Sequence, residues 1–186
     1  MHIKHQTNKV GVVPYRVMHE REFLVHLPKP KRAGEEQQMQ WGLARGTVMA
    51  KTASGEYADI SDRAGLEAIP LDQIEDHEWT AQKEAFEELG IEPPMLQASR
   101  MQDHGLILYA SQNALPYPIH FYSFHIEQDV SLDALNQNAQ DAQQVAWKSL
   151  DELHYMAHES RLSLPNQQFK PAYIAVLEEI VRQLPK

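Results

Sequence analysis

Lys83-Glu84-Ala85-Phe86-Glu87-Glu88-Leu89-Gly90-Ile91 is the stretch on which the reading of this chain turns. Glu84, Glu87 and Glu88 stand at positions i, i+3 and i+4, the spacing that gathers side chains on one side of a helix. Three carboxylates so placed repel one another unless a cation sits between them, and an all-oxygen donor set selects Mg²⁺, Mn²⁺ or Ca²⁺ over zinc. An acidic run on a solvated helix face is the plainer reading, so the surroundings must decide. The helix is predicted to begin in the turn holding Asp72, Glu75 and Asp76, where Asp72 and Glu75 have capping-box spacing and Asp76 is a second N-cap. It is predicted to stop at Gly90, with Pro93-Pro94 barring continuation. Helical spacing puts Trp79, Gln82, Phe86 and Leu89 together as the packing face and the three glutamates opposite.

Upstream, short β-branched and aromatic runs at Val10–Val17 and Glu22–Leu27, broken at Met18–Arg21, predict a hairpin. Pro28–Gln38, with two prolines, a glycine and the cations Lys29, Lys31 and Arg32, reads as an exposed loop. A strand follows at Met39–Leu43, resuming through Val48. Ala50–Leu71 is rich in Gly, Ser and Asp without periodicity and reads as an inserted surface loop. Downstream, strands are predicted at Met95–Met101, Gly105–Ala110, Ile119–Ile126 and Val145–Lys148. A short helix near Asp151–Ala157 and a longer one at Gln168–Leu184 close the chain; in the second, Tyr173, Val176, Leu177, Ile180, Val181 and Leu184 recur at helical spacing.

At 186 residues the expectation is one compact domain. A net charge of −9 is opposite in sign to the basic surface that duplex nucleic acid requires, so a general duplex binder is not expected. The absence of cysteine removes disulfides, thiolate metal sites, iron–sulfur clusters and cysteine nucleophiles together. Met1–Lys9 lacks the apolar run of a signal peptide and no later stretch is long enough to span a membrane, which makes a cytoplasmic protein the expectation. Of the ten histidines, His154 and His158 have helical metal-ligand spacing but lack the glutamate of an HExxH motif. His120 and His125 would face opposite sides of a strand, so packing or surface roles are expected for all of these.

With these residues in place, Lys83–Ile91 resembles the second half of the Nudix box, G-x5-E-x7-R-E-U-x-E-E-x-G-U with U aliphatic. It departs from the pattern at Lys83, where the box has arginine, and at Ala85, where it has U. Trp41-Gly42-Leu43-Ala44-Arg45-Gly46-Thr47-Val48 looks like the strand and turn that enter the box, carrying its first glycine at Gly46. Gly46 and Lys83 stand 37 positions apart where the pattern has 14, so 23 residues are inserted, in the stretch already read as a loop. The middle glutamate of the box is Glu75, which has the required seven residues before Lys83, or Glu56 of a displaced Gly55-Glu56 pair. Val145-Ala146-Trp147, followed by a Ser-Leu-Asp-Glu-Leu helix start, looks like a late strand of the same family.

The resemblance implies an α/β fold: a Nudix-type α/β/α sandwich over residues 1–186, with a mixed β-sheet, the box helix packed on it and an insertion at about 50–71. It implies a pyrophosphohydrolase in which water attacks a phosphorus of a nucleoside diphosphate linked to another moiety. Glu84, Glu87 and Glu88 would hold Mg²⁺ or Mn²⁺ and, with Lys83, form the catalytic set. Lys83 would keep the arginine's charge but not its bidentate fork. Arg45, Trp41 and Gly46 are the substrate-contacting candidates, with Lys29, Lys31 and Arg32 as further phosphate contacts. Tyr117 and Phe121 join Trp41 as surfaces to stack a base, core packing being the alternative for each. Relatives add an acid from a later loop, for which Asp141 and Glu127 are the candidates, and dimerisation, which makes a homodimer an expectation. Two other readings stay open: a catalytically impaired Nudix fold that binds a nucleotide or metabolite, and an interaction module whose acidic face meets a basic partner.

Overall fold

In a computed structural model of the chain, residues 7–51, 54–59, 70–111, 114–159, 162 and 164–186 are described. The predicted hairpin is present as β1 (Lys9–Val17) and β2 (Arg21–Pro28), paired antiparallel from Tyr15↔Phe23 to Val17↔Arg21. The first half of β1 pairs instead with β3 (Ala44–Thr47), from Lys9↔Thr47 to Val12↔Ala44. Pro14 therefore lies where β1 changes partner on that edge, the one place in a central strand where a missing N–H interrupts neither ladder. Along its other edge β1 runs parallel to β7 (Tyr117–His125), and β6 (Arg100–Tyr109) and β8 (Ala142–Ser149) complete a six-stranded mixed sheet in the order β6-β7-β1-β2-β8.

Alternation along β1 and β2 divides the core into two layers. Val10, Val12 and Leu24 face a cluster that includes Ala81, Ala85 and Leu89 of helix α1 (His77–Leu89), Leu96 of α2 (Pro93–Ala98) and Leu135 of α3 (Leu132–Asn138). Val13, Tyr15, Phe23 and Val25 face the other side, with Leu153 of α4 (Leu150–His158) and Tyr173, Val176, Leu177 and Ile180 of α5 (Ala172–Gln183). The result is the expected α/β/α sandwich. The Ser-Leu-Asp-Glu-Leu start of α4 is a reciprocal capping box between Ser149 and Glu152.

Helix α1 ends as predicted but begins and faces differently. Asp76 is the N-cap, accepting from the backbone N–H groups of Glu78 and Trp79, while Asp72 lies in a separate 3₁₀ turn, Leu71–Gln73. Gly90 takes the left-handed conformation at φ 70°, and a β-carbon there would come within 2.1 Å of the Leu135 carbonyl oxygen, so the residue both caps α1 and admits α3. Of the predicted packing face only Leu89 is buried: Trp79 is 54% exposed and Gln82 and Phe86 are only half-buried. His77, Thr80, Ala81, Glu84 and Ala85 are buried with Leu89. Two alanines let the helix approach the sheet closely, which carries Glu84 inward with them.

Three further expectations change. Pro93–Ala98 is a helical turn rather than the start of a strand, because prolines in a first turn give up N–H groups that have no partner there anyway. Residues 100–109 are one strand with a bulge between Asp103 and Gly105, and α3, capped by Ser131, was not predicted. Between Ala50 and Leu71 the described residues include a small antiparallel sheet of β4 (Met49–Lys51) and β5 (Tyr57–Asp59); the predicted loop also covers residues outside those described. No described helix is long and apolar enough to cross a membrane.

Candidate active site

Strand β3 crosses α1, and its backbone at Arg45-Gly46 forms a shelf for two carboxylates. A β-carbon at Gly46 would lie 1.9 Å from Glu84 Oε1, so the carboxyl rests where only glycine leaves room. One turn on, Glu88 Oε2 accepts a 2.8 Å hydrogen bond from the Arg45 backbone N–H. Glu84 is 9% exposed and has little room to swing away. Gly46→Ala is therefore expected to displace Glu84 and lower any activity of the site by at least about tenfold, since misplacing a catalytic group by about 1 Å can cost about 10²-fold. Steady-state assay beside a urea melt checks this; full activity in a folded Gly46→Ala protein would remove Glu84 from the machinery.

Lys83 Nζ lies 3.5 Å from Glu75 Oε2 and 3.9 Å from Glu84 Oε1, and over the Trp79 ring at 5.6 Å from its centroid. The single ammonium thus reaches two carboxylates. Glu75 is buried, accepts from Thr80 Oγ1 at 2.8 Å, and its backbone N–H donates to Met49 O. Glu56 is exposed, beside Ser54. Of the two candidates for the middle glutamate, Glu75 is the one the fold brings to Lys83.

The electrostatics follow from burial. Loss of water pushes the Glu84 carboxyl up from 4.5 to about 7; Lys83 opposes this and Glu87, Asp141 and Glu75 add to it. Glu88 is pushed further, to about 8, again first by burial, with the Arg45 N–H opposing and Glu84 and Asp141 adding. His26 Nε2, on β2, stands 3.7 Å from Glu88 Oε2, but burial first, then Lys170 and Arg45, lowers it to about 3 and keeps it neutral. Glu87 is half-buried at the rim, and its backbone carbonyl accepts from the N–H groups of Gln140 and Asp141. Among the described residues no three His, Cys, Asp or Glu side chains converge closely enough to enclose a metal ion on their own. The donor set still suits Mg²⁺ or Mn²⁺, which usually take one or two carboxylates and fill their other positions with water and substrate phosphate. Glu84 and Glu88 are such a pair.

Beyond the carboxylates lies a basic and aromatic region. The Arg45 guanidinium donates to Tyr117 Oη at 2.5 Å and lies over the rings of Tyr109 and Tyr173, 5.2 and 6.0 Å from their centroids. Tyr109 and Lys170 line a cleft of about 700 Å³ that also includes Gln40, Gln168 and Ser111. Trp41 does not serve as a stacking surface: it is 7% exposed in the α5-side core, and its indole N–H donates to Asn166 O. Phe121 is likewise wholly buried, and Tyr117 holds Arg45. Lys31 and Arg32 are exposed, whereas Lys29 donates through its side chain to Gln140 O and through its backbone to Asp141 O.

Of the two later acids, Asp141 acts on both Glu84 and Glu88, whereas Glu127 is held elsewhere by Arg100 at 2.7 Å and lies 3.5 Å from His125. Sequence reasoning missed His26, Lys170, Tyr109 and Tyr173. A histidine inside the wholly buried run Phe23–Leu27 was a usable signal, because a polar group there needs a reason. Lys170 gave none, being one loop lysine among several. His154 and His158 sit 6.0 Å apart between ring centroids, with His154 paired to Glu178 at 3.2 Å, and His125 stacks on Tyr15 away from His120.

No protein-family model matches the chain, and no curated protein matches it. Solved structures do. The chain is similar to RenU, a Nudix hydrolase of M. smegmatis, at 14% identity over 97% of this chain and 89% of that one, with a TM-score of 0.53. It is similar to the Nudix domain of Shewanella oneidensis NrtR, solved with ADP ribose, at 15% identity over 95% and 87%, with a TM-score of 0.52. It is also similar to a MutT protein of Methanosarcina mazei, at 14% identity over 96% and 94%, with a TM-score of 0.50. The chain has the Nudix fold.

Proposed function

We propose that the protein is a Mg²⁺- or Mn²⁺-dependent pyrophosphohydrolase that cleaves the diphosphate of a nucleoside diphosphate linked to another moiety. The observation that carries this reading is the pair of buried Glu84 and half-buried Glu88, one helical turn apart against the Arg45-Gly46 backbone, with Lys83 the one cation among the described residues within 4.0 Å of Glu84 and with Arg45 and Lys170 just beyond. A neutral or solvated role would not require two acids to be forced out of water together.

In this reading Glu84 and Glu88, with Glu87 at the rim, hold the metal, and Lys83 keeps Glu84 aimed through its second contact to Glu75. The bound cation supplies charge neutralisation of the phosphates and a more acidic water. Water adds to one phosphorus, the bridging P–O bond breaks, and the bridging oxygen leaves on the departing phosphate. Asp141, rather than Glu127, takes the place of the additional acid and receives the proton released by the attacking water. Nudix hydrolases of the same fold, and a Nudix domain that binds ADP ribose, support a phosphoanhydride ligand of this class.

The test is incubation with Mg²⁺ or Mn²⁺ and a panel of nucleoside diphosphate derivatives, ADP ribose first, following release of nucleoside monophosphate. Metal-dependent release is expected. Tight nucleotide binding without turnover at any metal concentration would replace the enzyme with a binding module.

A further inference from the structure

Arg45 and Lys170, both beside the carboxylates of the candidate site, have no acid in direct contact among the described residues. Among the described residues no carboxylate lies within 4.0 Å of the Arg45 guanidinium or of Lys170 Nζ, whereas Arg16, Lys83 and Lys148 each have one within that distance. Arg45 is held in place by neutral partners only, the Tyr117 hydroxyl and the faces of Tyr109 and Tyr173. Lys170 is positioned by its backbone, which donates to Trp41 O, and by Gly42, where a β-carbon would come 3.7 Å from Lys170 Cδ. Burial and the Arg45 charge both act against the Lys170 ammonium, while Glu88 supports it from a distance. A partly desolvated cation held beside another cation, without a counterion, is a site that completes itself with an anion.

We infer that Lys170 and Arg45 form a second phosphate station, separate from the carboxylate pair, which holds the part of a polyphosphate chain leading into the Gln40–Gln168 cleft. The order of groups supports this. Arg45 touches Glu88 through its backbone and leans on Tyr109 through its side chain, and Tyr109 and Lys170 line the cleft. A chain of at least two phosphates would run from the carboxylates past Arg45 and Lys170. The group it carries would enter a cleft of about 700 Å³, within the size range of small-molecule sites. There the Gln40 and Gln168 amides, hydrogen-bonded to each other at 2.9 Å, offer donors and acceptors for a planar heterocycle. Lys170 is a specificity-determining residue in this arrangement. It selects ligands with a second phosphate, and this role rests on the pyrophosphohydrolase reading for its catalytic consequence but not for binding itself.

The experiment is calorimetric titration of the whole chain with inorganic triphosphate in EDTA, where the carboxylates have no metal to offer, followed by the Mg²⁺ assay. Wild type is expected to bind triphosphate, more weakly as salt rises. Lys170→Gln is expected to weaken binding at least tenfold and to raise KM by a similar factor with kcat changed less than threefold. Lys170→Arg should restore most of both, and Lys148→Gln, at a β8 lysine paired with Glu152 of α4, should change neither. Circular dichroism melts establish that each variant is folded. Triphosphate binding equal in wild type and folded Lys170→Gln overturns the inference, as does no binding by wild type. Lys170-dependent binding without hydrolysis of any substrate leaves the station standing and removes the enzymatic reading alone.

Discussion

Replacing Glu88 by glutamine is expected to abolish metal-dependent turnover, by at least about 10²-fold, while making the metal-free protein more stable at alkaline pH. The two effects have one cause. Glutamine keeps the shape of the side chain and the oxygen that accepts from the Arg45 N–H, so the shelf on β3 survives. The lost element is the negative charge. Burial, then Glu84 and Asp141, hold the Glu88 carboxyl near 8 in the fold, against an ordinary 4.5. Above that pH the folded protein carries a charge that the unfolded chain would keep in water, a handicap on the order of a few kcal/mol. Urea unfolding in EDTA at pH 8.5 should give a higher midpoint for Glu88→Gln than for wild type, and the two should converge toward pH 4.5. A variant that is inactive and also less stable at both pH values would mark Glu88 as a packing residue. A variant that keeps its turnover would move the chemistry elsewhere.

The sequence carried the box helix, its end at Gly90 and its acidic residues, because those depend on neighbours within a few positions. It did not carry the direction in which the helix faces. Trp79 and Phe86 are the largest apolar residues of α1 and drew the packing face toward themselves, yet the sheet accepts the helix through Ala81 and Ala85. Small residues give weak hydrophobic signals and strong packing constraints, so a pattern weighted by side-chain size inverts here. The acids were legible as a metal-binding set from their spacing and the resemblance, but it was not legible that Glu84 would be buried against the sheet while Glu87 and Glu88 stay half-buried. The strand-like reading of Met95–Met101 failed because its apolar residues are shared by one helical turn and the start of β6. Glu75 was legible through the box spacing before Lys83, with Glu56 as the alternative, and the contact between Glu75 and Lys83 comes from the fold. Arg45 with Lys170 was not legible, since they stand 125 positions apart and are brought near each other by the fold, in which the Lys170 backbone N–H bonds to Trp41 O.

Metal should raise the melting temperature of the protein strongly near pH 8 and barely near pH 5. Glu84 and Glu88 have folded values near 7 and 8, both above the 4.5 of the unfolded chain. A raised carboxyl contributes stability that is complete below pH 4.5 and is lost as pH rises through the folded value, so the metal-free protein weakens between about pH 4.5 and 8. His26 acts in the other direction. Its folded value of about 3 lies below the 6.5 of the unfolded chain, so the stability tied to its neutral form is present above 6.5 and lost as pH falls toward 3. These two groups of residues thus squeeze the metal-free protein from both sides, with the most stable point in the acidic range between them. A divalent cation relieves only the alkaline side. Its ligands must be deprotonated, so its affinity should fall by about 10²-fold or more between pH 8 and pH 5.5. Each tenfold in affinity at saturating metal is about 1.4 kcal/mol, or roughly 3–6 °C for a chain of this length. Differential scanning fluorimetry with 5 mM Mn²⁺ against EDTA, across pH 5 to 8.5, reads this directly, roughly at the millimolar metal levels such sites bind. The shift should grow with pH in wild type and vanish in Glu84→Gln and Glu88→Gln, whereas a pH-independent shift, or one that survives both substitutions, would place the metal away from α1.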